Sequence, residues 1–300
     1  MDVSVIIVNY NTIELTRNCL ISVFEQTKDI DFEVIVSDNG STDGSIEIIK
    51  NEFPNVVLIE NKANLGFGAA NNRGLKIAKG KYIFYLNSDT VLLNNAVKMF
   101  FDYWESYPEK EQLGALGAWL INDGKIIHSY GSYPSFCNML QTLLRAAISD
   151  LFGSLKKYRH RTIPKKNYES LTKEIQGYVT GADLFVKNDS TALFDERFFM
   201  YFEESDLQLN NFALTGKKTF ILSEPKIIHL EGGSDKKTDK YSFSKKSSFF
   251  YWRSCLIYFS KNYHAKKFYR AILKFFIILV YLLPRNAKIG KAYFKELISL

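Results

Sequence analysis

Three groups of residues in this sequence have types and spacings that can do chemistry. Asn87-Ser88-Asp89 follows a short apolar run over residues 82–86. A carboxylate at the end of such a run can hold a hard divalent cation such as Mg²⁺ or Mn²⁺, which prefers oxygen ligands and phosphate. It can equally cap a helix begun over residues 90–94. Glu203-Glu204-Ser205-Asp206 packs three carboxylates into four residues, directly after the aromatic run Phe198-Phe199-Met200-Tyr201-Phe202. Mutual repulsion and poor solvation both raise a carboxylate pKa, which suits a general base. Acidic residues placed for a helix dipole are the alternative. His229 closes the run Ile227-Ile228-His229 ahead of Gly232-Gly233-Ser234. It can ligate a metal as neutral imidazole or simply bond to backbone. Gly66-Phe67-Gly68 invites a dinucleotide reading. It fails, because Asn71 stands where the third glycine belongs and the motif does not follow the first strand.

Those residues need a scaffold, and the first hundred positions supply one. Residues 3–8 form a continuous apolar run, as a strand buried on both faces should. Leu15, Cys19, Leu20, Val23 and Phe24 follow at helical spacing, and residues 32–36, 56–59 and 82–86 are further short apolar runs. Ser41, Thr42 or Asp43, in a glycine-bounded turn, can cap the next helix, and the Ala-rich stretch 66–78 reads as another. Strands alternating with helices predict an α/β fold with a mostly parallel sheet flanked by helices. Such sheets bind ligands beyond the carboxyl ends of their strands. Asn9-Tyr10-Asn11, Asp38-Asn39 and Asn87-Ser88-Asp89 stand at those ends.

Farther along, a helix is expected to end over 104–111 and a strand to run over 115–120. Residues 132–174 read as an irregular basic loop with a short helix, carrying Lys156-Lys157, Arg159-His160-Arg161 and Lys165-Lys166. Inserts of this kind often shape an acceptor site. Order returns over 175–186. A helix is expected from about Glu204 to Thr215, and a strand over 226–230.

Composition sets the class. Hydrophobic residues make up 46% of the 300 and charged residues 24%, so a packed core is expected. Cys19, Cys137 and Cys255 are too scattered for a disulfide framework or a CxxC metal site, and no secretory leader pattern opens the chain. A reducing, cytoplasmic setting is the expectation. The net charge of +7 conceals an asymmetry. Residues 236–300 carry 15 Lys+Arg against 2 Asp+Glu, and residues 1–235 carry 24 against 30. A domain over 1–235 with a basic, aromatic helical extension over 236–300 is therefore expected.

Taken in order, several segments resemble glycosyltransferase family 2, the inverting enzymes of GT-A fold, and its rhamnosyltransferase-like branch best. They are Val3-Ser4-Val5-Ile6-Ile7-Val8-Asn9-Tyr10-Asn11, Val36-Ser37-Asp38-Asn39-Gly40-Ser41-Thr42-Asp43-Gly44, and Asn64-Leu65-Gly66-Phe67-Gly68-Ala69-Ala70-Asn71-Asn72-Arg73-Gly74. Then come Tyr85-Leu86-Asn87-Ser88-Asp89-Thr90, Gly181-Ala182-Asp183, Phe194-Asp195-Glu196-Arg197 running on to Leu207, and the turn at His229. The resemblance covers roughly residues 3–234.

The resemblance implies the following roles. Asn9, Tyr10 and Asn11 line the nucleotide base and ribose, and Asp38 accepts hydrogen bonds from them. Asn64, Gly66, Asn71 and Asn72 run close to the nucleotide, with Asn87 and Ser88. Asp89 holds a divalent cation, Mn²⁺ or Mg²⁺, on the diphosphate, with His229 as second ligand. Glu204 is the general base for an acceptor hydroxyl, and Asp206 can share that role. Gly181, Ala182, Asp183 and Glu203 sit near the sugar or acceptor. Two departures stand out. The family's DxD triplet is Asn-Ser-Asp here, and its usual Asp at the base position is Glu204.

The implied activity moves a sugar, rhamnose among the candidates, from a dTDP- or UDP-sugar to a glycan or lipid-linked acceptor in cell-surface polysaccharide synthesis. A nucleotidyltransferase is the first rival; it wants a glycine-rich, Arg/Lys-bearing loop after strand one, and Asn9-Tyr10-Asn11 has neither. An inactive glycan-binding or scaffolding protein is the second, and Asp89, Glu204 and His229 argue against it. Near the C-terminus, residues 271–283 are apolar but interrupted by Lys274 and too short to span a bilayer. With Arg270, Arg285, Lys288 and Lys291 around them they suit an amphipathic segment on an anionic leaflet, peripheral on the inner face of the cytoplasmic membrane. A core or homodimer helix is the alternative. Nucleic acid is not expected as a partner, because no RNA- or DNA-binding motif accompanies the basic aromatic tail.

Overall fold

The computed structural model describes residues 1–152, 171–230, 246–262, 266–282 and 286–299. The chain divides into two compact units. The first holds residues 1–133, 168–196 and 203–236, and the second holds 134–167, 197–202 and 237–300. Of the described residues, 134–152 and 197–202 thus group with the tail, whereas the sequence placed them in a domain over 1–235. The basic runs at 156–166 and the turn Gly232-Gly233-Ser234 lie outside the described residues.

In the first unit β1 (Val3–Asn9), α1 (Ile13–Gln26), β2 (Phe32–Asp38), α2 (Ser45–Glu52), β3 (Val57–Glu60), α3 (Phe67–Leu75) and β4 (Tyr82–Asn87) alternate as their apolar periods predict. β5 (Thr90–Leu92), α4 (Ala96–Ser106), β6 (Leu113–Asn122), β7 (Lys125–His128) and β8 (Tyr130–Gly131) follow. The chain passes through α5 (Phe136–Phe152) in the second unit. It then returns for β9 (Lys173–Ile175), β10 (Tyr178–Val179), β11 (Asp183–Lys187), α6 (Glu203–Asn211) and β12 (Lys218–His229).

The main sheet runs β3-β2-β1-β4-β11-β6-β12-β5. Its first four strands are parallel, as expected. β11 then lies antiparallel to both β4 and β6, so the remainder of the sheet is mixed. β1 is buried almost throughout, as its unbroken apolar run requires. α3 packs close on β1 because Gly74 lacks a side chain: a Cβ there would come within 2.6 Å of Ile6 Cγ2. On the other face, Tyr82, Phe84, Phe100, Trp104 and Phe185 form one aromatic core, with Phe100 and Phe185 stacked at 5.4 Å.

Two local expectations are overturned. Residues 90–92 are strand β5 rather than a helix start. Thr90 and Val91 are β-branched, and they find β12 as an antiparallel partner. The stretch expected to be mostly loop after residue 132 begins instead with the 17-residue α5, whose Leu143 is buried.

The second unit adds α7 (Lys246–Asn262), α8 (Lys266–Leu282) and α9 (Ala287–Ser299). α7 is buried nearly all round, with Phe249, Trp252, Tyr258 and Phe259 at full burial, so it serves as the unit's core helix. α8 packs on α7, α9 and α5.

One polar residue stands out inside the first unit. Asp183 opens β11 and is wholly buried. Its carboxylate accepts the Ala118 N–H of β6 at 2.6 Å and the Ser129 hydroxyl. Burial outweighs these bonds and the nearby His229, and pushes its pKa up to about 7. The folded protein therefore keeps a proton that the unfolded chain releases near pH 4. This stabilisation is complete below that pH and is lost as pH rises through about 7. Asp183→Asn keeps the shape without the titration. In urea unfolding, the wild-type advantage over this variant should shrink between pH 4 and pH 8, by roughly 4 kcal/mol at most. A pH-independent difference would show that Asp183 stays ionised in the fold.

Candidate active site

The carboxyl ends of β1, β2 and β4 lie side by side, so Asn9 pairs with Asp38 and Asn87 stands next to Val8. The Asn9 amide is used completely. Its Nδ2 donates to Asp38 Oδ2 at 2.7 Å and Ser41 Oγ at 3.0 Å. Its Oδ1 accepts from Thr12 Oγ1 at 2.8 Å and Thr16 Oγ1 at 2.7 Å. Asp38 Oδ1 accepts the N–H groups of Gly40 and Ser41. Both Asn9 and Asp38 are 0% exposed. They were expected to touch base and ribose; the structure instead places them beneath that surface, where they clamp strand end, turn and helix start together. Sequence position gave their strand ends but not their side-chain direction.

What remains accessible at this end is Tyr10, 46% exposed, and Asn11. Asn11 adopts a left-handed φ of 53°, a conformation that Asn tolerates better than most residues. Its N–H donates to Ser41 Oγ at 2.9 Å and its Oδ1 accepts the Thr42 N–H at 2.8 Å. The two loops are thereby knitted into one ledge.

A second set of amides positions the loop before α3. Asn39, a residue given no role from the sequence, donates to Asn64 Oδ1 and to the Gly66 carbonyl, and accepts from Asn61 Nδ2. Asn64 Oδ1 also accepts the Gly66 N–H at 3.0 Å. Gly66 sits at φ 87°, ψ 177°, a region open essentially to glycine alone. Asn71 bonds back to the Phe67 carbonyl and is buried. Asn72 points away from the ledge: it donates to the Phe194 carbonyl and Glu196 Oε1 and accepts the Phe194 N–H. Asn71 and Asn72 were expected along the nucleotide. Asn72 instead fixes the loop that leads toward α6.

At the other side of the sheet, β5 pairs with β12 so that Thr90 faces His229. That register brings Asp89 Oδ1 and His229 Nε2 to 3.3 Å, each 15% exposed. The Leu230 N–H donates to the Asp89 carbonyl, and Asn122 Nδ2 to the His229 carbonyl. The Asn87 carbonyl accepts from Thr90 Oγ1 at 2.7 Å, its N–H donates to the Ala182 carbonyl, and Ser88 Oγ lies 3.3 Å from Thr12 Oγ1. No group of three or more His, Cys, Asp or Glu placed to hold a metal occurs among the described residues. Asp89 Oδ1 and His229 Nε2 would be the two protein donors to a divalent cation there; the carboxylate suits Mn²⁺ and Mg²⁺ alike, and the imidazole nitrogen suits Mn²⁺ better than Mg²⁺, which prefers oxygen.

Gly181 lies under the Phe67 ring, where a Cβ would come within 2.8 Å of two ring carbons. Ala182 is buried and braces Asn87 through its carbonyl. Asp183, expected near sugar or acceptor, turns into the sheet instead.

The acidic cluster forms the first turn of α6. Tyr201 and Phe202 precede it at φ 70° and 72°, which bulky residues seldom adopt and which often marks a functional site. Glu203 and Asp206 are 4% and 1% exposed. Asn210 Nδ2 donates to the Asp206 carbonyl at 2.8 Å and to its Oδ1 at 3.3 Å. Of the cluster's carboxylates, Glu204 is the one that keeps partial exposure. Gln208, one turn on and unremarked in the sequence, accepts the Val179 N–H and donates to the Val179 and Glu204 carbonyls. A Cβ on Gly68 would lie 3.7 Å from Glu203 Cβ, so the start of α3 and the start of α6 are neighbours.

Residues 4–161 match the family model described as glycosyl transferase family 2. Over 121 residues the chain is 36% identical to the poly(ribitol-phosphate) beta-glucosyltransferase of Bacillus spizizenii, covering 39% of this chain and 19% of that one. Over 190 residues it is 27% identical to the N-acetylglucosaminyl-diphospho-decaprenol L-rhamnosyltransferase of Mycobacterium tuberculosis, covering 58% and 59%. The chain spans from 10% to 59% of the length of such curated relatives. Among solved structures, TarS 1-349 of S. aureus in complex with UDP superposes with a TM-score of 0.52 at 16% identity, over 95% of this chain and 73% of that one. The mannosyltransferase PcManGT of Pyrobaculum calidifontis, in complex with GDP-Man and Mn²⁺, does so at 0.52 and 15%, over 97% and 74%.

Two outcomes are expected of this arrangement. Asn9→Ala strips Asp38 of a buried donor and two threonines of an acceptor, and should cost about 2–4 kcal/mol in urea unfolding. A neutral substitution would show that the amide is not what holds the ledge. Asp89→Ala should abolish the Mn²⁺ dependence of nucleoside diphosphate binding in calorimetry, and His229→Ala should weaken it. Unchanged Mn²⁺ titrations in both would rule the pair out as ligands.

Proposed function

This chain belongs to glycosyl transferase family 2 and has its GT-A fold, and we propose that it is an inverting glycosyltransferase using a nucleotide-sugar donor. The ledge of Tyr10 and Asn11, with the Asn64–Gly66 loop, receives the nucleotide, dTDP or UDP in this reading. Asp89 and His229 hold Mn²⁺ or Mg²⁺, which when bound offsets the charge of the leaving diphosphate. Glu204 takes the proton from an acceptor hydroxyl. The freed oxygen attacks the anomeric carbon as the bond to the diphosphate breaks, and one displacement inverts that centre. A single carboxylate base suffices for such a step.

The observation that carries this reading is the pairing of Asp89 with His229 at 3.3 Å, in a unit where Glu204 is the partly exposed carboxylate of its cluster. The neighbours solved with UDP and GDP-Man support a nucleotide-sugar donor. The relatives named for ribitol-phosphate glucosylation and for rhamnosyl transfer support a glycan or lipid-linked acceptor in cell-surface polysaccharide synthesis, with rhamnose as the first sugar to try.

Glu204→Gln should lower transfer by about a hundredfold to ten-thousandfold while leaving nucleotide affinity intact. A panel of dTDP-, UDP- and GDP-sugars, scored for binding and slow hydrolysis, identifies the donor to use. Normal turnover in the variant would remove Glu204 from the base position, and Asp206→Asn then becomes the variant to measure.

A further inference from the structure

α8 is apolar on two opposite sides, and among the described residues only one of them is covered. Leu273, Ile277, Val280 and Tyr281 are buried within the second unit. Phe268, Phe275, Leu279 and Leu282 are 65%, 59%, 43% and 61% exposed. With the exposed Ala271 they repeat at intervals of three and four residues, so they form one row along the helix. Lys267 and Lys274 stand seven residues apart, about a quarter-turn from that row, with Lys267 exposed. Burial and the neighbouring Arg270 lower the Lys274 pKa. In α9, Lys288, Lys291 and Lys295 are exposed at the same spacing, and Glu296, its one acid, is held by Arg253 at 2.5 Å. Residues 266–299 carry eight Lys+Arg and one acidic residue.

We propose that the exposed row of α8 is a docking face for an anionic lipid bilayer, with Phe268, Phe275, Leu279 and Leu282 entering the headgroup–acyl boundary and the lysines of α8 and α9 meeting lipid phosphates. The charge pattern selects this occupant. A second copy of the chain would bring the same cations together, whereas an anionic leaflet complements them. α8 is 17 residues long, roughly 25 Å, and no described helix is long and apolar enough to cross a membrane, so the helix lies in the surface. Large exposed aromatics flanked by lysine stems suit that depth. The inference stands independently of the transfer chemistry.

The full chain is sedimented with vesicles rich in phosphatidylglycerol and with vesicles of phosphatidylcholine alone. It should partition onto the first at least about tenfold more strongly, and added salt should weaken it. Phe268→Ser combined with Phe275→Ser should reduce that partition by about tenfold or more with the melting temperature unchanged, as expected for exposed sites. Lys288→Glu with Lys291→Glu should remove the preference for phosphatidylglycerol. The proposal is overturned if the full chain stays in the supernatant. It is equally overturned if the paired serine variant binds as wild type does, or if the chain is a stable dimer that the serine pair splits.

Discussion

The pairing of three residues at the end of the sheet, Thr90–Leu92 of β5, with Ile227–His229 of β12 is what the candidate metal site rests on. Asp89 and His229 are separated by most of the chain of the first unit, and neither is oriented by its own local structure. The register Thr90↔His229 sets their backbones opposite one another, and the Leu230 N–H to Asp89 carbonyl bond closes the ladder on that side. A slip of one residue would turn His229 to the opposite face of the sheet. Asn122 guards the other side of the strand by holding the His229 carbonyl. The geometry of the candidate site therefore depends on hydrogen bonds from three separate segments.

The opposite half of the site is built on amides. Asn9, Asn39, Asn61, Asn64 and Asn72 hold strand ends, loops and helix starts together through their side-chain amides. An amide is suited to this because it offers two donors and two acceptor positions without a charge. A carboxylate at position 9 would face Asp38 across 2.7 Å and repel it; an apolar residue would take from two buried threonine hydroxyls the acceptor that Asn9 Oδ1 gives them. The consequence is a rigid underlayer, with Tyr10 and Asn11 as the surface it presents. A ledge already in place would spare the proposed nucleotide the cost of ordering it on binding.

Much of this was legible from residue order, and the rest failed for identifiable reasons. The apolar runs of β1, β2 and β4 and the helical periods of α1 and α3 are local, so the parallel half and the polar residues at its strand ends could be read directly. β5 could not: three residues carry too little pattern, and what makes them a strand is β12, far along the chain. Asn9, Asp38, Asn72 and Asp183 were placed correctly along the chain but assigned outward roles. Direction is decided by partners such as Thr16, Phe194 and Ser129, which proximity in sequence does not reveal. In the acidic cluster the sequence offered Glu204 or Asp206 as the base, and burial separates them: Asp206 is covered, while Glu204 keeps access to solvent.

The departure from the family pattern at Asn87 looks different once those partners are known. At Asn87 the backbone is held at both ends, by Ala182 and Thr90, so the position keeps its geometry whatever its side chain carries. What is lost relative to a carboxylate is its charge and one acceptor oxygen. Nor does Asp183 restore a full charge nearby, because burial keeps its pKa up to about 7 and much of it therefore holds a proton at neutral pH. A cation held there would meet fewer carboxylates, so the proposed site would rest more on Asp89 and on the His229 imidazole, 3.3 Å from its Oδ1.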